Sequence, residues 1–438
     1  MSEAVDPRLG EPSGLRTSSC ATELVCRDCG YRTPLLDTAF KCPACGEGLD
    51  VDYDYERAKS LIAERGLGDR PHNIWRFEEL LPIVSRHAQG KVGQFAGRTP
   101  LIRADRLGAE LGLKNLYLKD DSTNRPTLSY KDRVVSMAIA RLLELGKDEV
   151  GCVSTGNVGT AVAALAAKAG ATAYIFYPGN MEKGKAKACR ALGAQVCQLD
   201  GNYDEANRAC RELAEASGLQ FANITLRPFY SEGAKTLAFE VVEQLDWVSP
   251  DHIVMPAAGG TLSSRVHKGL NELEAVGLTR TAQTKIHVGQ PSGCSPITTA
   301  ITENAPEIVH QVPETLAQSL AIGAPGDGAL VVDAVRSRGG SAAAVPDGEI
   351  ITAMELLAST EGVLTEPAGG TTLGATMKLA QQGVIGPDDT VVVVISGNGL
   401  KTLSEQPIRP WPEMVPCNAA TMDEVVHDFR RSGAGSRL

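Results

Sequence analysis

The chain has no long apolar run. Its longest purely aliphatic stretch, Val391 to Ile395, is far too short to cross a bilayer. A basic surplus is missing as well: 43 Lys and Arg stand against 53 Asp and Glu, a net charge of −10. That balance argues against general affinity for nucleic acid or an anionic membrane, so any phosphate-bearing ligand needs a local site. The opening MSEAVDPRLGEPSGLRTSS carries early acids and no apolar core, unlike a secretory leader. Solenoid-type repeats are absent. The 11 cysteines make no evenly spaced framework, which fits a reducing cytoplasm. What remains is the composition of a soluble globular chain, and its 438 residues suffice for two or three domains.

Four cysteines do cluster. Cys26-x2-Cys29, a twelve-residue gap and Cys42-x2-Cys45 form two knuckles, each followed by a glycine, Gly30 and Gly46. Glycine there lets the backbone turn so that its amides face sulfur. Four thiolates suit a tetrahedral metal, zinc or iron, and leave no open position for catalysis, so the predicted module is a structural ribbon.

From Leu101 onward, short apolar runs alternate with longer helix-like ones. Asn115–Lys119, Gly151–Ser154, Thr172–Tyr177, Gln195–Leu199, His252–Pro256, Lys285–Gly289 and Val391–Ser396 read as strands. Between them Val134–Leu145, Thr160–Lys168, Glu182–Leu192 and Asp204–Ser217 read as helices. The alternation predicts an α/β protein with parallel sheets, whose ligands gather beyond the carboxyl ends of the strands.

Chemistry points to the string Ser129-Tyr130-Lys131-Asp132-Arg133, which sits before a helix-like run. Downstream lie two turns between a strand and a helix, Ser154-Thr155-Gly156-Asn157 and Gly259-Gly260-Thr261-Leu262-Ser263. A lysine able to form a Schiff base, joined with backbone amides able to cradle a phosphate, points to pyridoxal phosphate and to amino-acid chemistry. Each piece alone has a plain structural reading. Lys131 could be a solvated lysine at a helix start, and the two turns could be ordinary caps. Ser396, before Gly397-Asn398-Gly399, could end a simple tight turn or meet the pyridine nitrogen.

In this order, the strings resemble the threonine synthase family among fold type II, tryptophan synthase β-like enzymes. The resemblance runs from the ribbon through Leu49–Glu56, Ile74–Pro82, Arg98–Leu101, Gly201–Ala206, Glu232–Leu245 and Glu366–Gly370 to Ser396–Lys401. It implies a zinc ribbon and two three-layer domains built on parallel sheets. It also implies that Lys131 holds pyridoxal phosphate and moves protons, that Asn157 meets the ring oxygen, that Gly259 to Ser263 bind its phosphate, and that Ser396 faces its nitrogen. The substrate would lie on Ser129, Ser154, Thr155, Gly156, Arg227 and Tyr230. The implied reaction turns O-phospho-L-homoserine and water into L-threonine and phosphate, in a cytoplasmic protein that is commonly a dimer.

The expected organisation is a disordered stretch over 1–19, a ribbon over 20–50 and a large discontinuous domain over 51–119 and 246–415. A smaller domain over 120–245 closes on substrate, and a tail spans 416–438. Departures concern the substrate. The family pattern N-P-T-G-S-F-K-D-R has Leu128 for its glycine, Tyr130 for its phenylalanine and an inserted Arg125. The arginine expected to grip substrate phosphate is Tyr230, which should cost about 1.5–3 kcal/mol or more of phosphate binding. Arg227, three positions earlier, is the nearest substitute. A paralogue that performs β-elimination or β-replacement on phosphoserine, phosphothreonine or threonine is therefore a second reading. A non-catalytic protein whose zinc ribbon binds a partner is a third.

Overall fold

Valine runs set the core. Val391 to Ile395 are all fully buried, as expected of a parallel strand covered on both faces. Their side chains alternate: Val392 and Val394 enter one apolar cluster, while Val391, Val393 and Ile395 enter another. The period of two thus divides one strand between two cores. The computed structural model describes residues 16–35, 40–154, 156–179, 183–201 and 203–403. The described residues from 16 to 402 form one unit. Most of the expected disordered start and the whole of the expected C-terminal tail lie outside the described residues.

In chain order the strands are β1 (Ala21–Cys26), β2 (Arg32–Pro34), β3 (Leu49–Tyr53), β4 (Leu101–Arg103), β5 (Asn115–Asp120), β6 (Glu149–Val153) and β7 (Thr172–Pro178). They continue as β8 (Gln195–Leu199), β9 (Gln220–Phe221), β10 (His252–Pro256), β11 (Lys285–Pro291), β12 (Ala342–Val345) and β13 (Thr390–Ile395). Three sheets result. The cysteine ribbon is β2-β1-β3, antiparallel throughout. The large sheet runs β12-β11-β10-β13-β5-β4, parallel except for the edge pair β4 and β5. A four-stranded parallel sheet, β8-β7-β6-β9, occupies residues 149–221.

Every strand expected from the sequence is present within a residue or two of its predicted ends. Two differences bear on the site. Ser154 and Ser396 each fall just past a strand, since β6 stops at Val153 and β13 at Ile395. Gln195–Leu199 is an exposed sheet edge, where its polar alternation is tolerated. Among the described residues, no helix is long and apolar enough to cross a membrane.

Candidate active site

The loop between β5 and the Lys131–Glu144 helix is pinned at several points, which positions Lys131. Tyr130 donates its amide to the Ser396 carbonyl at 3.0 Å, and Asn398 donates to Leu128 O at 3.1 Å. Asp132 accepts from the Thr127 amide at 2.9 Å and hydroxyl at 2.7 Å; its burial pushes its carboxyl up to about 7. Leu128 has φ +58°. The glycine of the family pattern would take that conformation freely, whereas leucine bears about 1–2 kcal/mol of left-handed strain.

Beneath this loop the Arg133 guanidinium, fully buried, bonds Asp121 at 2.7 and 2.9 Å and Glu240 at 2.5 and 2.7 Å. Lys119 reaches the same Glu240 carboxylate at 2.7 Å. Burial alone would raise the Glu240 carboxyl, but Arg133 and then Lys119 hold it at about 2. The arginine that follows Lys131-Asp132 is thus an anchor beneath the site.

Lys131 Nζ donates to the Tyr130 hydroxyl at 2.5 Å and lies 4.2 Å from that ring's centroid. Both residues face a cavity of about 800 Å3. Ser154, Asn157, Arg227, Tyr230, Gly259, Gly260, Thr261, Leu262 and Ser396 share its wall. Residues scattered over the chain therefore meet at the carboxyl ends of β6, β10 and β13, where parallel sheets offer ligands their crevice. Ser129, Gly156 and Ser263 lie beside this wall in the chain without lining it, and Thr155 lies outside the described residues.

Gly156 donates to Ser154 Oγ at 2.9 Å and caps the Asn157–Ala169 helix. Asn157 Nδ2 donates to Glu366 at 2.6 Å, and Lys401 Nζ donates to Asn157 Oδ1 at 2.7 Å. Lys185 Nζ lies 2.8 Å from the other Glu366 oxygen, and its chain occupies the space that a side chain at Gly156 would need. Burial works against the Glu366 charge, but Lys185 and Lys401 keep its carboxyl low. Glu366 and Lys401 carried only the resemblance of EPAGG and SGNGLK, and Lys185 no signal at all. Each meets Asn157 or Gly156 only after folding.

Arg227 lines the cavity and is tied at one nitrogen to the glycine turn. Its Nη2 donates to Asp327 at 2.5 Å and to the Thr261 hydroxyl at 3.2 Å. Tyr230 is buried, which pushes its phenol well up, Tyr130 being the next cause.

The glycine turn fits a phosphate. A Cβ at Gly259 would meet only Ile322 at 3.8 Å, so the approach is open, and Gly260 takes φ +96°. The Thr261–Ala275 helix begins there, with first-turn amides that have no intrahelical acceptor. The hydroxyls of Ser263, in the first turn of that helix, and of Ser129 are buried and unpartnered. The four thiols of Cys26, Cys29, Cys42 and Cys45 also fit a metal ion. Their sulfurs lie within 4.8 Å of one another, with pairs at 3.4 and 3.5 Å. Tetrahedral bonds of about 2.3 Å space sulfurs by about 3.8 Å. Gly30 and Gly46 after the knuckles have φ +72° and +81°, conformations that favour glycine.

A family model described as "Pyridoxal-phosphate dependent enzyme" matches residues 92–397. A threonine synthase of Methanocaldococcus jannaschii is 36% identical over 392 residues, covering 88% of this chain and 95% of that protein. One from Methanosarcina acetivorans is 36% identical over 380 residues, covering 86% and 92%. Among solved structures, diaminopropionate ammonia lyase from Escherichia coli shares the fold, with a TM-score of 0.62 at 19% identity over 87% of this chain and 94% of that one. The chain accordingly belongs to the fold type II pyridoxal-phosphate dependent enzymes, in their threonine synthase family, and is a threonine synthase-like lyase.

Proposed function

We propose that this protein converts O-phospho-L-homoserine and water into L-threonine and phosphate. One observation carries the reading: Lys131 Nζ faces the same cavity as the Gly259–Thr261 turn and the ends of three parallel strands. When bound, pyridoxal phosphate supplies a sink for electrons released at the substrate α carbon. The residues of the chain do the rest. Lys131 anchors the cofactor and, once free, moves protons at the α and β carbons. The Gly259–Ser263 turn holds the cofactor phosphate, Asn157 its ring oxygen and Ser396 its nitrogen. The Ser154–Asn157 turn, at the start of a helix, receives the substrate carboxylate. Residues 120–245, which contain the whole four-stranded sheet, close over the substrate and exclude water. Zinc fills the thiol cluster.

Lys131→Ala tests this directly. The variant should lose the visible absorption of bound cofactor and at least about a hundredfold of phosphate release from O-phosphohomoserine. A variant that keeps both refutes the assignment.

The position of Arg227 favours a second reading, elimination or replacement on another activated amino acid. Tyr230 stands where the family pattern has arginine, and one nitrogen of Arg227 already serves Asp327 and Thr261, which weakens the grip the pair can offer a substrate phosphate. Release of phosphate from phosphoserine or phosphothreonine, with none from phosphohomoserine at any concentration, would select this alternative.

A further inference from the structure

Arg27 directly follows the first ribbon thiol, Cys26, yet its side chain reaches the wall of the cleft. Its path is fixed by the ribbon. The Arg27 amide donates to Gly48 O at 3.3 Å, Nε lies 3.6 Å from Asp50, and the guanidinium packs where a side chain at Gly48 would have to go. Nη1 then donates to Asp327 Oδ1 at 3.2 Å. The other Asp327 oxygen takes the Thr261 hydroxyl at 3.1 Å and Arg227 at 2.5 Å. The Asp327 amide donates to the Gly259 carbonyl at 2.8 Å. One carboxylate, its side chain 1% exposed, therefore joins the ribbon to both sides of the glycine turn.

Charge sharpens the arrangement. A lone carboxylate beside a phosphate site would repel a dianion, whereas two guanidiniums, Arg227 and Arg27, offset the charge of Asp327. Removing Arg27 takes one of these positive charges from beside Asp327. Burial would raise the Asp327 carboxyl, but Arg227 and then Arg27 hold it at about 2, so its charge persists at neutral pH.

We propose that Arg27 is a positioning residue for the phosphate end of the cofactor, acting through Asp327 on Thr261 and Gly259, so that filling the thiol site with metal and retaining the cofactor are coupled. The proposal rests on the reading that the Gly259–Ser263 turn holds that phosphate. It makes the ribbon a working wall of the reaction cleft, since an ordered knuckle is what aims Arg27.

The test is equilibrium binding of pyridoxal phosphate and of pyridoxal, which lacks the phosphate, to cofactor-stripped wild type, Arg27→Ala and Arg27→Lys, with metal content measured for each. Arg27→Ala should keep its metal, lose about tenfold or more in affinity for pyridoxal phosphate, and bind pyridoxal as wild type does. Arg27→Lys should recover part of the loss. A strong chelator should weaken pyridoxal phosphate binding by wild type to a similar degree and add little in Arg27→Ala. Unchanged affinity of Arg27→Ala for pyridoxal phosphate, or an equal loss for pyridoxal, overturns the proposal. If Arg27→Ala sheds metal or misfolds, chelated wild type decides: full retention of pyridoxal phosphate affinity overturns the coupling. Wild type that binds neither compound removes the underlying reading of the turn as well, an outcome distinct from failure of the relay alone.

Discussion

Lys131 and Glu240 show two ways in which a charged side chain is specified. Lys131 could be read from its string, because a lysine at the start of a helix is a local pattern. The role of Glu240 could not, because its partners Arg133 and Lys119 lie 107 and 121 residues away. Removing its charge leaves buried Lys119 without its carboxylate and Arg133 with Asp121 alone, and breaking such a pair costs about 3–5 kcal/mol. Glu240→Gln should therefore lower stability by that amount, read as an earlier urea midpoint at unchanged slope. Tyr130 invites a different experiment. Its hydroxyl is bonded to the Lys131 amine, so Tyr130→Phe, which restores the residue of the family pattern, should leave stability within about 0.5 kcal/mol. Turnover should drop about tenfold or more, because a hydrogen-bonded partner of the proton-moving amine is lost. Steady-state phosphate release beside a thermal melt separates the two effects.

Between elements, one close approach of backbone to backbone near the site is made by a glycine. A Cβ at Gly233 would come within 2.4 Å of the Arg133 carbonyl oxygen and 2.8 Å of Val134 Cα. Both are backbone atoms of the helix that begins at Lys131, so the neighbour cannot yield by changing a rotamer. Gly233→Ala should destabilise the protein by about 1–3 kcal/mol through overpacking. It should also depress turnover, because the Lys131 helix must shift; circular dichroism melts with parallel kinetics would register both. The glycine within Glu232–Leu245 was visible as part of a matched string. The reason for it was not, since which helices touch is a property of the packed fold.

At the scale of the whole molecule, the buried ionic clusters make stability depend on pH. Glu240 and Asp327 have carboxyls at about 2 when folded, against ordinary values of 4.5 and 3.8. Folded values below unfolded ones mean that their stabilisation is complete above about pH 4.5 and drains as pH falls toward 2. Asp132 has the opposite sign. Raised from 3.8 to about 7 by burial, it stabilises below about pH 4, and that contribution is lost as pH rises through 7. Melting temperatures should therefore fall steeply below pH 4.5 and decline gently from pH 5 to 8. Asp132→Asn should flatten only the second slope, and a scan of both proteins from pH 3 to 8 checks it.

The amino-acid order alone determined the strands and helices, the α/β class, the cysteine knuckles with their glycines, and Lys131 at a helix mouth. Each is a local matter of period, covalent spacing or φ preference. Tertiary structure decided what stands next to what. Arg27 meets Asp327 across 300 residues, Arg227 ties to the glycine turn at the cavity wall, and Glu366 with two lysines surrounds Asn157. Such pairings follow from the order of strands in the sheets and the close packing of helices. Because low-dielectric burial makes each of these charges seek a partner wherever the fold brings one, sequence distance carries no information about them.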